Sequence, residues 1–490
     1  MSEILLFPDI SPNIVKDIES KYLVNDKNYL VKIAANTIVQ NIKKFINPDS
    51  KILFICGKGN NGLDGIYAAS LLKNSGVDIK VSLIDDNHFK ENNYYHELQN
   101  YIVDSFDIHE YNIIVDCIFG NGLNRELSKD IQSIISEINK SDAFIISIDV
   151  PSGLNPITGS LCPSSVNCDL LITFMNIKRG LFTNHGRDTW KSIVFDPLID
   201  DDIDSKNYLA TANNSYRFQN KNKDHFITLN LSNDTKNSRH KKSNGVSLLI
   251  AGEPPYHGSM YLSALSSMRT GCRYMTVLTH DEYSHSLSYL IPEIVTMPHS
   301  LEYLRDNINN FKNILIGPGM SSRLTFEYIK VIFDSLDSIN SVVLDAGALH
   351  FLDSIDIQSD KIILTPHPGE ASLILKTDTS YVQANRYNAA YEISKKYGCK
   401  VVLKGSGTII YNGKSFYTCM DGNYRMAVAG MGDVLSGILL SELSTSNNID
   451  DACLRAVIYH SYSSDYLLQK GIKNYMPSMI ADTYFDLIMK

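Results

Sequence analysis

At 490 residues, with 44 % hydrophobic residues and a formal net charge of −9, the chain has length for more than one domain and apolar content for sizeable cores. The acidic balance without a long basic run argues against nucleic acid as a main partner, and no apolar stretch is long enough to span a bilayer. The first residues carry no basic segment leading into a long apolar core, and the eight scattered cysteines form no Cys-x-x-Cys pair, so a cytoplasmic protein with reduced thiols is expected.

In chain order, residues 11–45 read as two helices, the second with Leu30, Ile33, Ala34, Ile38 and Ile42 at helical spacing, suited to covering a sheet or a dimer face. The apolar run Lys51 to Cys56 has the character of a buried strand. It leads into Gly57-Lys58-Gly59-Asn60-Asn61-Gly62-Leu63-Asp64-Gly65 and a helix through Leu72, the strand, glycine loop and helix order used for dinucleotides and phosphates. Further strands are expected at Ile79–Ile84, Ile113–Asp116, Ala143–Ile148 and Leu170–Phe174. Two of them end in acids, at Asp116 and at Asp149-Val150-Pro151-Ser152. In an open α/β sheet the carboxyl ends of strands form the ligand crevice, so Asn61, Asp116, Asp149 and Ser152 would converge there; the alternative is that such acids only cap loops. An oxygen-rich cluster of this kind suits a hard cation. Lys178, after the fifth strand, is either a surface lysine or one that faces the ligand.

Residues from about 200 to 240 turn polar and read as a linker or surface excursion, with a strand near Phe226–Leu231. A second α/β unit then begins with Val246 to Gly252, a helix from Gly258 to Gly271 and a strand from Tyr274 to Leu278. Later strands end at Ile316-Gly317-Pro318-Gly319, Leu344-Asp345, Leu364-Thr365-Pro366-His367 and Leu403-Lys404-Gly405-Ser406-Gly407-Thr408, and helices follow Gly432 and Asp450. Gly430-Met431-Gly432-Asp433 opens the first of these two helices. Glycines admit an anion close to backbone N–H groups and a helix N-terminus adds partial positive charge, so Asp433 is placed to act as a general base beside phosphate; it could instead merely cap the helix. Lys404 with its glycines and Thr408 adds the cation and donors that phosphoryl transfer requires. His367, between prolines and before Gly369-Glu370, reads as a rigid loop aiming a polar group at a pocket, against a satisfied turn histidine, with Glu370 near a metal-bound phosphate.

These runs together resemble a known family, the fused NAD(P)H-hydrate repair enzymes. Gly59 to Gly65, Val115 to Leu123, Ser147 to Leu154 and Phe174 to Leu181 are similar to the epimerase half. His240-Lys241-Lys242, Ile316 to Gly319, Thr365 to Glu370, Leu403 to Thr408 and Gly430 to Asp433 are similar to the dehydratase half. The resemblance implies an α/β chain in which a Rossmann-like three-layer domain over residues 1–205 and a linker over 206–239 precede a ribokinase-like three-layer domain over 240–490. It implies an epimerase site of Asn60, Asn61, Gly62, Leu63, Asp64, Gly120, Asn121, Gly122, Leu123, Asn124, Arg125, Glu126 and Asp149. There Asp149 and Lys178 would move protons, and Asn61, Asp116 and Ser152 would hold potassium. In the dehydratase half it implies Gly319, His367 and Asp433 at the hydrate, Lys404, Gly405, Ser406, Gly407, Thr408 and Gly432 at ADP or ATP, and magnesium on the phosphates. The partners implied are hydrated NADH or NADPH and the nucleotide, in a homo-oligomer.

The chain departs from the family pattern at Lys58, at Leu63, which bears on the tightest part of the first loop, and at Val428 and Ala429. Arg425 could crowd the nucleotide or bind its phosphate, and Glu253 places a negative charge near that site. The competing reading is a ribokinase-like small-molecule kinase whose N-terminal half is a non-catalytic nucleotide- or partner-binding module.

Overall fold

The computed structural model describes residues 3–9, 12–22, 26, 28–73, 76–84, 89–90, 93–123, 125–199, 205–213, 217–218, 227–230, 245–355, 358–446 and 448–488. Its strands are, in chain order, β1 (Glu3–Pro8), β2 (Lys51–Cys56), β3 (Asp78–Leu83), β4 (Ile113–Cys117), β5 (Phe144–Ile148), β6 (Cys168–Phe174), β7 (Trp190–Asp196), β8 (Tyr208–Thr211), β9 (Arg217–Phe218) and β10 (Ile227–Asn230). There follow β11 (Val246–Ile250), β12 (Met275–Thr279), β13 (Val295–Pro298), β14 (Phe311–Ile316), β15 (Ser341–Leu344), β16 (Ile362–Leu364), β17 (Lys400–Leu403), β18 (Ile409–Tyr411) and β19 (Phe416–Cys419). The chain divides into two compact units, one of Phe7–Leu209 and Asn214–Ile227, the other of Met1–Leu6, Ala210–Asn213 and Thr228–Lys490. Both are α/β, as expected.

The first unit is built on a seven-stranded sheet in the order β3-β2-β4-β5-β6-β7-β9. Its pairings are parallel throughout, Phe54 lying between Val81 and Val115. Parallel sheets are covered on both faces, which is why β2 and, apart from Asp116, β4 are apolar runs, buried from Ile52 to Cys56 and from Ile113 to Cys117. The helix Tyr29–Ile42 inserts Ala34, Ile38 and Ile42 into that core, and the helix Asn60–Leu72 inserts Ile66, Ala69 and Leu72. The chain leaves β2 toward β3 on one side and returns to place β4 on the other, so the carboxyl ends of β2 and β4 form a topological switch point.

In the second unit, the sheet has twelve strands in the order β10-β1-β8-β19-β18-β17-β16-β15-β14-β11-β12-β13. From β17 to β13 it is parallel, while β18 is antiparallel to both β17 and β19. A second switch point lies between β11 and β14. Two features are new relative to the sequence reading. Residues 4–6 of β1 are buried in this second sheet, although they precede the whole first unit, and β8 joins them there. Among the described residues no helix is long and apolar enough to cross a membrane, and all eight cysteines are free, seven of them buried.

Candidate active sites

At the first switch point the backbone is packed too tightly for side chains. A Cβ on Gly57 would lie 1.9 Å from the Ile118 carbonyl oxygen, and one on Gly62 would lie 1.7 Å from the Gly57 oxygen. The close approach is therefore at Gly62. Leu63 is partly buried against the hydrophobic core, so its replacement of a glycine leaves the tight contact intact. After β5, Asp149 takes a left-handed conformation with φ 67°, a strain of order 1 kcal/mol for a non-glycine residue that clusters at functional sites. Its Oδ2 accepts from the Asn121 N–H at 3.0 Å, and its Oδ1 is ion-paired with the Lys178 ammonium. Lys178, itself 5 % exposed, also donates to Thr173 Oγ1 at 3.1 Å and to the Phe174 oxygen at 2.7 Å, so it is not a surface lysine.

These groups border a cavity of about 750 Å³ lined by Asn60, Asn61, Leu63, Asp64, Gly120, Asn121, Gly122, Leu123, Arg125, Asp149 and Lys178. Of the other residues expected there, Gly62 is buried against Gly57, Glu126 is exposed outside the lining, and Asn124 lies outside the described residues. Glu19, on the helix Pro12–Tyr22, lines the cavity without having been anticipated. Its one legible signal is an acid next to the buried Ile18. Burial, and then the charge of Asp149, push the Glu19 carboxyl up; Asp64 is raised well above its ordinary value by burial, by Asp149 and by Glu19. The site thus pairs an ion-paired carboxylate with a carboxyl biased toward its acid form.

Asp116 and Ser152 come together behind it. Asp116 is fully buried, and its oxygens accept from Ser147 Oγ at 2.8 Å, the Ser152 N–H at 2.9 Å, the Ile118 N–H at 3.2 Å and Ser152 Oγ. Burial nevertheless outweighs these bonds and raises its pKa. Asn61 has both side-chain polar atoms buried without a partner, next to where a Cβ on Gly120 would sit 3.4 Å from its Cγ. An orphaned buried amide carries a desolvation cost of ~1–3 kcal/mol that a bound ion would offset. No cluster of three His, Cys, Asp or Glu side chains fit for a metal ion occurs among the described residues.

At the second switch point strand ends and one helix bring charged side chains together. The Lys404 ammonium, after β17, lies 2.8 Å from Asp345 Oδ1, after β15, and 3.8 Å from Glu370 Oε2. It also lies 3.5 Å from where a Cβ on Gly432 would be, at the start of the helix Met431–Thr445. Asp345 was legible only as an acid at a strand end, with no role. It is 1 % exposed and takes the Ser436 hydroxyl on its second oxygen. Burial pushes Asp345 up, but Lys404 and the hydroxyl donors outweigh it and hold the carboxyl below its ordinary value. Asp433, in the first turn of that helix, is pushed up to about 6 by burial and then by the charge of Asp345, while a hydrogen bond from Ser259 and the charge of Lys404 pull it down.

Ser259 is a further residue that the sequence did not reveal. It lies in the helix His257–Arg269, and a Cβ on Gly319 would stand 3.2 Å from its Cβ and 2.4 Å from the Tyr256 oxygen. Gly319, at φ 64°, therefore has no room for a side chain beside Ser259. His367 caps the helix Pro368–Leu375: its Nδ1 accepts from the Gly369 and Glu370 N–H groups, and Glu370 accepts in return from the His367 N–H at 2.7 Å. One nitrogen of His367 is thus a satisfied turn contact, and the other lies 3.5 Å from Glu370 Oε1. Gly405 to Thr408 form the loop between β17 and β18, closed by Thr408 Oγ1 on the Gly405 oxygen at 3.2 Å.

One expectation about charge is corrected by geometry. Glu253 does not present its carboxylate to a nucleotide: it accepts from the Ser321 and Ser322 N–H groups at 2.9 Å each and from the Ser322 hydroxyl, at the head of the helix Arg323–Asp334. Arg425 has a partner of its own in the fold: its guanidinium donates to the Lys473 oxygen at 2.6 Å and reaches Asn474 Oδ1 at 3.4 Å. The His240-Lys241-Lys242 run lies outside the described residues.

Comparison with known proteins agrees with this two-site arrangement. Residues 247–485 match the family described as NAD(P)H-hydrate dehydratase, and residues 27–180 match the family described as YjeF-related protein N-terminus. A bifunctional NAD(P)H-hydrate repair enzyme Nnr of Coxiella burnetii is 30 % identical over 434 residues, covering 86 % of each chain. The Escherichia coli protein of the same name is 29 % identical over 432 residues, covering 86 % of this chain and 81 % of that one. A solved structure, the ADP/ATP-dependent NAD(P)H-hydrate dehydratase from Bacillus subtilis co-crystallized with ATP/Mg2+, is 25 % identical and covers 53 % of this chain and 94 % of its own, with a TM-score of 0.47. The chain is a member of the family of bifunctional NAD(P)H-hydrate repair enzymes.

Proposed function

We propose that the first unit interconverts the two C6 epimers of hydrated NADH or NADPH and that the second dehydrates the S epimer to NADH or NADPH at the expense of ADP or ATP. The observation that carries this is Asp433: a carboxylate tuned to about 6, at a helix start beside Lys404 and Gly432, is a base poised for a hydroxyl next to a phosphoryl group. Hydroxide is a poor leaving group. Asp433 takes the proton of the C6 hydroxyl, whose oxygen attacks the terminal phosphoryl group and displaces the shortened nucleotide. Phosphate then departs from C6 as the ring nitrogen's electron pair moves in, and loss of a C5 proton restores the dihydropyridine. Lys404 and the glycine loop neutralise charge on the transferring group, while Gly319 lets its loop pack closely against Tyr256 and Ser259. Magnesium, when bound with the nucleotide, supplies charge neutralisation across its phosphates.

In the first unit, inversion requires C6 to become planar. Asp149 accepts the hydroxyl proton as the C6–N1 bond opens to an aldehyde, a proton passes from Lys178 to N1, and reclosure on the opposite face reverses both transfers. The Asn121 N–H holds the Asp149 oxygen that Lys178 does not occupy, so the carboxylate keeps one orientation through both halves. Asn61, Asp116 and Ser152 would hold potassium, which supplies a fixed positive charge behind the pocket. A reducing, cytoplasmic setting fits the free thiols.

The test is recovery of NADH absorbance from a mixture of both hydrate epimers, with ADP and with ATP. The intact chain should restore the whole mixture, Asp149→Ala should stall with one epimer remaining, and Asp433→Ala should restore nothing. Nucleotide consumed on other alcohols without return of NADH would instead mark a small-molecule kinase.

A further inference from the structure

Behind the loop that follows β17 lies a cation with no acidic partner among the described residues. Arg386 is the first residue of the helix Arg386–Tyr397 and is 3 % exposed. Its Nη2 donates to the Leu403 oxygen at 3.3 Å and to the Gly407 oxygen at 3.1 Å, and its Nε has no hydrogen-bond partner. The ionisable group that acts on it is Tyr387; among the described residues no carboxylate is paired with it. Burial lowers it to about 10, so it remains charged at neutral pH. A helix N-terminus is an unfavourable place for a cation, and a buried charge without a counter-ion is costly. An apolar side chain would fill the same volume without that penalty.

The loop is fitted to this group. Gly405 has φ 141°, and a Cβ there would stand 2.5 Å from Arg386 Nη1 and 3.2 Å from its Cζ. In a trans peptide the carbonyl and the following N–H point in opposite directions, so drawing the Gly407 oxygen toward the guanidinium turns the Thr408 N–H away from it. On the other side of the loop, Asp345, Glu370 and Asp433 surround the single ammonium of Lys404, which leaves that face net negative where a polyphosphate has to bind. A positive charge beneath the loop compensates for this.

We propose that Arg386 is a positioning residue for the polyphosphate of ADP or ATP: its buried guanidinium sets the peptide planes of the Leu403–Gly407 loop, and its charge is balanced when phosphate occupies the loop's outer face. The inference rests on the dehydratase reading of this site. It is tested by calorimetric titration of Mg-ATP and Mg-ADP into the intact chain and its Arg386→Lys and Arg386→Met variants. The KM for nucleotide, the KM for hydrate and the epimerase rate are measured alongside. Arg386→Met should weaken nucleotide binding roughly tenfold or more and Arg386→Lys less, because lysine keeps the charge and loses the planar fork. The KM for hydrate and the epimerase rate should stay within about twofold, since neither uses the loop. Nucleotide affinity unchanged in both variants, with only the melting temperature lowered, would overturn the proposal. Should Arg386→Met fail to melt cooperatively, Arg386→Lys decides alone: weaker Mg-nucleotide binding supports the role and parental binding refutes it. Because binding is read without turnover, a parent chain that binds Mg-ATP yet returns no NADH would sink the dehydratase reading alone, and the affinities of the two variants would still support or refute the role of Arg386.

Discussion

Asp433 shows how one environment sets both chemistry and stability. Its folded value of about 6 stands above the ordinary 3.8, so the folded chain holds this proton more tightly than the unfolded chain does. The stability associated with the group is fully present below 3.8 and is lost as pH rises through about 6. At neutral pH the ionised base therefore costs the fold up to about 3 kcal/mol, less for its partial exposure. Asp433→Asn should abolish NADH recovery and raise the melting temperature at pH 7, with no gain at pH 4. A variant no more stable at pH 7 than its parent would show that burial does not strain the base. Ser259 acts in the opposite sense, its hydroxyl favouring the carboxylate. Ser259→Ala should move the acid limb of the dehydratase pH profile to higher pH while leaving the plateau rate within about tenfold. None of this was legible in the sequence: Asp433 announced itself through its glycines, whereas Ser259 is an unremarkable serine until the helix His257–Arg269 brings it to the base from 174 positions away.

Secondary-structure elements were the readable level, for a physical reason. Strands buried on both faces are short apolar runs ended by glycine or an acid; β2, β4 and β5 were expected within a few residues of their bounds, and the ends of β14 and β15 at Ile316 and Leu344. Bonds between elements were not readable, because nothing local encodes them. Glu253 illustrates the difference: in sequence it is a stray charge beside a glycine, and in the fold its carboxylate takes three donors at the head of the helix Arg323–Asp334. It ties the loop after β11 to the loop that carries Gly319, a tie reinforced by the Glu253 N–H on the Gly319 oxygen at 2.7 Å. Glu253→Ala leaves backbone N–H groups without their acceptor and should destabilise the second unit by ~1–3 kcal/mol. The looser Gly319 loop should raise the KM for hydrate more than that for nucleotide. Equal shifts in both constants would mean the clamp does not act on the hydrate pocket.

For the whole molecule, the order of strands matters more than any single contact. β1 precedes the first unit in sequence and lies in the second sheet between β10 and β8. The sequence reading took Glu3 to Pro8 only as evidence against a signal segment, since one short apolar run does not say which sheet will claim it. Deleting residues 1–6 should lower the thermal stability and dehydratase rate of the second unit while sparing the epimerase rate, because Phe7 and Asp9, which is paired with Arg179, remain in the first unit. It removes three buried apolar side chains, Ile4, Leu5 and Leu6, each worth ~1.5–3 kcal/mol of burial. A deletion that lowers only the epimerase rate would contradict the sheet order.

The same strand order has a consequence in time. On the ribosome β1 emerges well before β8 at Tyr208, and longer still before β19 at Phe416 completes the neighbouring ladder. At about 5–20 residues per second, an apolar strand waits on the order of tens of seconds without its sheet while the first unit has already been synthesised in full. Nascent-chain binding by a chaperone that recognises short apolar segments should therefore centre on residues 4–7 and end only once β8 and β19 have left the exit tunnel.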